Sequence, residues 1–401
     1  MYSSAMRANC EKFEQFLATP GLHGALQSID QYFAAHGDEY TDIKTFVNDF
    51  VTPYLSIMNG YGGPDMGQMQ VVDLAVIFDL QLAHFTKPGI GWSQFSSGSS
   101  SWVQAMAQAA KAALDLQIMT DVTVLSVATN PTTGKVSVAW GSKGPVVVDE
   151  FDKVILTTDM WTNANLLGGA NNSTYWNQLY SKYLDKPPVP PQGPPPDPKT
   201  AKWNLMQGAC YIHTDASMLA PSLRPLQQET LQFNAYFAGR PDGSYDIAKT
   251  FTTYILKNLL PDDQAQHADG LYLTMYGYIP GPGDKQPAPE TTIKVSKNWI
   301  HGHWVASFLD GPKQTTHLMQ GLGRFSYPGQ LNTNVYFAGN NVVIDSEDGA
   351  LVSAMAIADY AFGIPYPLPA LLKHPLEYAA AIAVYTGLYK VMFPGHAPMF
   401  V

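Results

Sequence analysis

Val335-Tyr-Phe-Ala-Gly-Asn-Asn-Val-Val-Ile-Asp-Ser-Glu-Asp-Gly-Ala-Leu-Val-Ser-Ala-Met-Ala-Ile-Ala-Asp-Tyr360 is the stretch on which the reading of the fold turns. Val335 to Ala338 is a short apolar run stopped by Gly339, the pattern of a buried parallel strand. Asp345, Ser346, Glu347 and Asp348 then supply cap chemistry and first-turn acids. From Ala350 onward, Leu351, Met355, Ala358 and Phe362 recur at helical spacing. The order is therefore strand, glycine turn, helix. The first N–H groups of such a helix have no partner within it and suit an anion or an electron-rich ligand edge. Gly349, without a Cβ, lets a ligand approach the backbone. A strand–helix unit with no ligand would carry the same pattern.

Composition sets the frame around this unit. The chain has 401 residues, 46% of them hydrophobic and 14% charged, enough apolar material for a substantial core and for two domains or one interleaved unit. A net charge of −10 argues against nucleic acid as a partner, because that needs a basic footprint. Cys10 and Cys210 are the only cysteines, too few for a disulfide framework or a metal cluster. The first residues show no basic patch followed by an apolar core, and no apolar run is long enough to span a bilayer. A cytoplasmic protein with no membrane span is the expectation. Tyr378 to Phe393 is the most apolar window, short and interrupted by Lys390; it reads as a packed terminal helix.

Upstream, residues 1 to about 85 read mostly as helix. Phe13, Phe16 and Leu17 precede Pro20-Gly21, and Leu26, Ile29, Tyr32 and Phe33 form a second amphipathic set ending near His36-Gly37. Thr45 to Leu55 offers a third helix and Val71 to Phe85 a fourth, buried one. Ser99 to Ser101 are N-cap residues for a helix from Trp102 to Leu116. Ile118 to Val127 alternates as a strand; Val136 to Trp140, Val146 to Val148 and Phe151 to Thr158 follow as three more. Lys186 to Pro198 is a proline-rich insert, extended and polyproline-like.

Phe337-Ala-Gly followed by Glu347-Asp-Gly-Ala-Leu-Val-Ser-Ala-Met resembles the C-terminal flavin-binding signature of the flavin amine oxidase superfamily, which includes phytoene-desaturase-like FAD/NAD(P)-binding oxidoreductases. The resemblance implies FAD as cofactor. It assigns Gly339 and Asn340 to the ribityl and pyrophosphate region, with Asp348, Gly349, Ala350 and Leu351 at the pyrimidine edge of the ring. Many relatives carry Glu where this chain has Asn340, which hydrogen-bonds without charge. Trp92 to Met106 resembles the superfamily's Gly-Gly-Ser stretch, with Ser97 in place of the first glycine, and so adds Gly98 and Ser99 to the cofactor set. Val122 matches a position whose backbone meets the adenine. A Gly-x-Gly-x-x-Gly loop, which the superfamily keeps before a helical region like residues 1 to 85, occurs nowhere in the chain. The expectation drawn from this is a chain that starts after that motif, whether truncated, split or naturally without it. Such a chain would bind FAD weakly or not at all alone, expose an apolar patch, and associate with itself or with a complementary N-terminal segment.

Candidate catalytic residues come from two other stretches. His213 and Asp215 in Cys210-Tyr-Ile-His-Thr-Asp lie two apart on an extended chain, and so on one side of it. They are read either as an acid–base pair or as a packed histidine and a turn cap. Lys297, Trp299, His301, His303 and Trp304 form the densest constellation. The resemblance offers Lys297 as the lysine that holds a water beside flavin N5. His301-x-His303 lacks a third ligand, so no metal is expected. The expected fold is α/β: a discontinuous, incomplete FAD/NAD(P)-binding Rossmann-like domain plus a mixed α+β substrate domain. Residues 1–88 would be the helical part of the substrate domain, 89–160 an FAD segment and 161–325 the rest of the substrate domain with its loop at 186–198. Residues 326–363 would be the C-terminal FAD segment and 364–401 a helical tail. The expected activity is hydride transfer from a C–H bond of a small apolar or amine substrate to flavin N5. The alternatives are a non-catalytic fragment or partner subunit, and a flavin-dependent isomerase or desaturase of an unsaturated lipid or isoprenoid.

Overall fold

The computed structural model describes residues 4–18, 24, 27–36, 40–52, 67–71, 74, 97–130, 132–142, 144–167, 203–219, 233–239, 245–260, 262–295, 299–304, 334–339, 347–365 and 386–387. The chain divides into two discontinuous units, one of residues 1–118 with 206–301, the other of 119–205 with 302–401.

The first unit opens with helices α1 (Ser4–Ala18), α2 (Ile29–His36) and α3 (Thr41–Phe46), the last continued by a π-helical turn to Val51. Their apolar positions close one core: Cys10, Phe13, Phe16, Ile29, Tyr32, Phe33, Phe46, Val47 and Val51 pack with Met69, Val71 and Leu74. Aromatic rings dominate it. Phe16 stacks on Phe33 at 5.2 Å and meets Tyr32 and Tyr40 edge-on, the offset and T-shaped arrangements that ring quadrupoles favour. The third helix starts at Thr41, before the expected Thr45, and its turns run to Val51; Pro53 to Leu55 lie outside the described residues. Of the fourth expected helix, Val71 and Leu74 are helical and buried; the rest of Val71 to Phe85 lies outside the described residues.

Helix α4 (Ser99–Ala113) follows. Its N-cap is Gly98, at φ 78°, and no side chain caps it; the serines expected there sit inside the first turn. Ser101 Oγ instead donates back to the Gly98 carbonyl at 2.7 Å. The helix ends at Ala113, short of the predicted Leu116, and Leu114 is already extended.

Strands β1 (Thr123–Thr129), β2 (Val136–Gly141) and β3 (Val147–Phe151) form an antiparallel meander in the second unit. The first strand starts five residues later than the alternation from Ile118 suggested, because its length is set by pairing with β2, from Thr123↔Gly141 to Thr129↔Val136. Phe151 closes β3 rather than opening the next strand. Strand β4 (Val154–Leu156) leads into α5 (Met160–Leu167).

The first unit's large sheet is built from β5 (Trp203–His213), β6 (Phe233–Gly239), β7 (Tyr245–Ile255), β8 (Tyr272–Tyr276), β9 (Thr292–Val295) and β10 (Trp299–Trp304), with the short α6 (Asp262–Ala265) between β7 and β8. Its order is β10-β5-β8-β7-β6, with β9 also pairing β5, and the registers of β5, β6, β7, β8 and β9 are antiparallel. In the second unit, β11 (Val335–Phe337) pairs in parallel with β4, Val335↔Val154 to Phe337↔Leu156, and is followed by α7 (Glu347–Phe362). The architecture is thus mixed helix and strand with mostly antiparallel sheets. A parallel pair of three residues in each strand does not by itself make the dinucleotide fold that was expected. The proline-rich insert and the expected helix at Tyr378 to Phe393, apart from 386–387, lie outside the described residues. No helix among them is long and apolar enough to cross a membrane.

Candidate functional site

Two strand–helix units stand side by side at the β4/β11 pair. The ladder continues past the strands: Val154 N–H donates to Asn334 O at 3.0 Å and Ala338 N–H to Leu156 O at 2.9 Å. Both strands are parallel, so both turns that follow them leave from the same, carboxyl end. That end is where open α/β sheets hold ligands. After β4, Asp159 caps α5: its carboxylate accepts from Thr162 N–H at 2.9 Å and from Thr162 Oγ1 at 2.6 Å. Fully buried Asn163 is satisfied by Thr158, accepting from its hydroxyl at 2.6 Å and donating to its carbonyl at 3.0 Å.

After β11 comes Gly339 at φ 117°, a backbone conformation that L side chains rarely adopt, which is why glycine ends this strand. Its N–H donates to Ser353 Oγ at 2.8 Å, and that hydroxyl donates to the Ala350 carbonyl at 2.6 Å. Ser353 therefore ties the glycine turn to the first turn of α7. It was not among the expected site residues. The visible signal is a small polar residue inside a run of small apolar ones, 14 residues along the chain from the glycine that it binds. Helix α7 also presents a different face from the expected one. Leu351 is 53% and Phe362 48% exposed, whereas Ser353, Ala356, Ile357 and Asp359 are buried. The helix is apolar nearly all round, so spacing alone does not choose a face; close packing favours the small side chains. At the far end Lys153 lies over the Phe362 ring, 5.7 Å from its centroid.

Of the other residues assigned to the cofactor, Asp348 and Gly349 lie in the first turn of α7 and Ala350 is half-buried there, while Asn340 lies outside the described residues. Val122 is half-buried immediately before β1, next to Asp121 at φ 59°. Gly98 caps α4 and Ser99 begins it, both in the first unit.

The candidate catalytic residues belong to the large sheet. His213 is fully buried at the end of β5. Its Nδ1 accepts from the Asp215 backbone N–H at 3.1 Å, so the proton resides on Nε2, which faces Thr274 Oγ1 at 2.8 Å; that hydroxyl shares a further bond of 2.8 Å with Thr253. Burial pushes the imidazole down to about 4, against the opposing pull of Asp215. The carboxylate of Asp215 does not meet the ring: it accepts from Ser217 N–H at 2.8 Å and Ala288 N–H at 3.0 Å. Burial works against its charge, but these N–H donors outweigh it and hold the carboxyl below its ordinary value. Of the two readings open for this pair, the geometry is that of a packed, neutral histidine beside a turn cap. His301 is half-buried on β10, the strand next to β5; His303 is two residues on, and Lys297 lies outside the described residues. Among the described residues no group of three or more His, Cys, Asp or Glu is placed to hold a metal ion. No protein-family model matches the chain. No curated protein matches it either.

Proposed function

We propose that the chain is an FAD-dependent oxidoreductase whose cofactor rests on the β11–Gly339–α7 unit. The observation that carries this reading is the parallel pairing of β4 with β11, followed by a positive-φ glycine joined through Ser353 to a helix with Gly349 in its first turn. These residues fit the ribityl and ring end of a flavin: a backbone close enough to approach, and first-turn N–H groups for its electron-rich edge. The sequence offers no glycine-rich loop for the pyrophosphate, which leaves Gly339 and Asn340 as the residues that the resemblance gives to that region. FAD would supply the hydride-accepting atom; the protein's part is to position the cofactor and exclude water. The substrate class that best suits a chain with 12% aromatic residues and few charges is a small apolar molecule or an amine.

Titrating the purified protein with FAD and following flavin fluorescence tests this. Weak but saturable binding is expected. Gly349→Leu should abolish it while the thermal melt persists, because the added side chain occupies the space of the ring edge. Equal affinity in the two proteins removes Gly349 from the site, and no uptake by the wild type removes the flavin. A second reading, a partner subunit that works only when covered, is favoured by exposed Val124, Leu125, Val147, Val148, Phe151 and Ile155 in the second unit. It predicts no uptake of FAD by the chain alone.

A further inference from the structure

Strand β3 stands at the edge of the meander with both faces open. All five of its residues are exposed, among them Val147 at 37%, Val148 at 61% and Phe151 at 45%. One edge pairs with β2 without a shift in register, from Val136↔Phe151 to Trp140↔Val147. Among the described residues no strand pairs the other edge. An edge strand offers a row of unpaired N–H and C=O groups, which proteins commonly guard with a Lys, a Pro or a bulge. β3 has none of these. Its charges are Asp149 and Glu150, on opposite faces because strand side chains alternate. Asp149 accepts from Trp140 Nε1–H at 2.8 Å, and Glu150 makes no hydrogen bond or ion pair among the described residues. The nearby lysines are engaged elsewhere: Lys135 with Asp152 at 3.8 Å, and Lys153 over the Phe362 ring. Lys143, between β2 and β3, lies outside the described residues.

We propose that this edge takes an extended segment of another protein as a fourth strand, with two basic residues facing Glu150 and Asp149 and apolar residues facing Val147, Val148 and Phe151. Backbone hydrogen bonds supply the attachment in this mode of recognition, and alternate side chains supply the selectivity. Side chains directly opposite across two strands lie about 5 Å apart, close enough for unlike charges to help and like charges to hinder. Charge decides between the occupants. A second copy would bring the same acidic pair to the edge, on a chain of net charge −10, whereas a basic segment neutralises it. Asp149 and Glu150 thus guard β3 against its own kind and leave it open to a cationic strand. The site lies within the second unit and does not depend on the flavin reading.

Antiparallel to Val147–Phe151, the complementary order is apolar, basic, basic, apolar, apolar. The probe is therefore a fluorescein-labelled peptide TVKKVVT, followed by fluorescence anisotropy, with TVEKVVT as the form that sets a glutamate against Glu150. The wild-type chain should bind the first saturably and the second roughly fivefold more weakly. Glu150→Lys, an exposed substitution that should leave the melting temperature unchanged, should reverse the order. TVKKVVT methylated at its backbone nitrogens keeps both charges but cannot donate to the edge, and should not bind. The absence of saturable binding by the wild type overturns the proposal. So does equal binding of the methylated peptide, which would be adsorption to an acidic surface, or an unchanged order in Glu150→Lys, which would place the site elsewhere. A dimer joined through β3 that excludes the peptide gives the edge to a second copy, and overturns it as well.

Discussion

His213 is held neutral by its surroundings, and this makes the large sheet sensitive to acid. Its ring accepts a backbone N–H at one nitrogen and faces Thr274 at the other, so an added proton at Nδ1 would set a donor against the Asp215 N–H. The pKa falls from 6.5 to about 4 on folding, hence the unfolded chain binds the proton more tightly. Its contribution is fully present above about pH 6.5 and is lost as pH falls towards 4, amounting to on the order of 3 kcal/mol. Denaturant unfolding measured from pH 7 to pH 4 should show this slope in the wild type and a shallower one in His213→Gln, whose amide can accept and donate at the same two places. Matching slopes in the two proteins would show that other groups account for the acid sensitivity.

At the level of elements, the junction of β11 with α7 depends on one hydroxyl. Ser353→Ala leaves the Gly339 N–H without its partner and releases the Ala350 carbonyl. It should cost about 1–3 kcal/mol, because Ser353 is fully buried and water cannot replace it. Ser353→Thr, which keeps the hydroxyl, tests whether the bond or the space matters; if the hydroxyl is what counts, threonine recovers part of the loss. An alanine variant as stable as the wild type in equilibrium unfolding would mean the bond contributes nothing net. The β4/β11 pair has only three residues in each strand, too little to stand alone, so the turns and helices that follow must hold it. Asn334 assists at the other end: at φ 49° it turns its side chain to donate to Gly134 O at 2.8 Å, tying the β1–β2 turn to the start of β11.

The whole molecule combines a net charge of −10 with large apolar side chains in the open, including Val103, Leu114 and Met119 as well as Val148 and Phe151. Like charge keeps copies apart, and exposed apolar surface draws them together. Salt acts mainly on the first, since the screening length falls from about 30 Å at 0.01 M to about 8 Å at 0.15 M. Self-association measured by sedimentation velocity should therefore rise with ionic strength, and Val148→Lys together with Phe151→Lys should reduce it. A monomer at every salt concentration would show that these side chains are too scattered to act as a surface.

The elements that the sequence determined by itself are those whose pattern is local and repeated. The aromatic spacing of Phe13, Phe16, Tyr32 and Phe33 specifies amphipathic helices because only one face of each can be dry, and those residues are buried. The run Val335 to Ala338 ending at Gly339 specifies a strand and a turn because φ 117° there requires glycine. Tertiary structure decided the rest. Which face of α7 turns inward depends on how closely a strand approaches it, so Ser353 and Ala356 are buried in place of Leu351 and Phe362. Where β1 begins depends on its partner's length, and whether His213 meets Asp215 depends on Thr274 and Ala288, 61 and 73 residues away along the chain from the groups they bind. Periodicity records how a segment divides its surface between water and protein; it carries no information on the distant group that will fill each hydrogen bond.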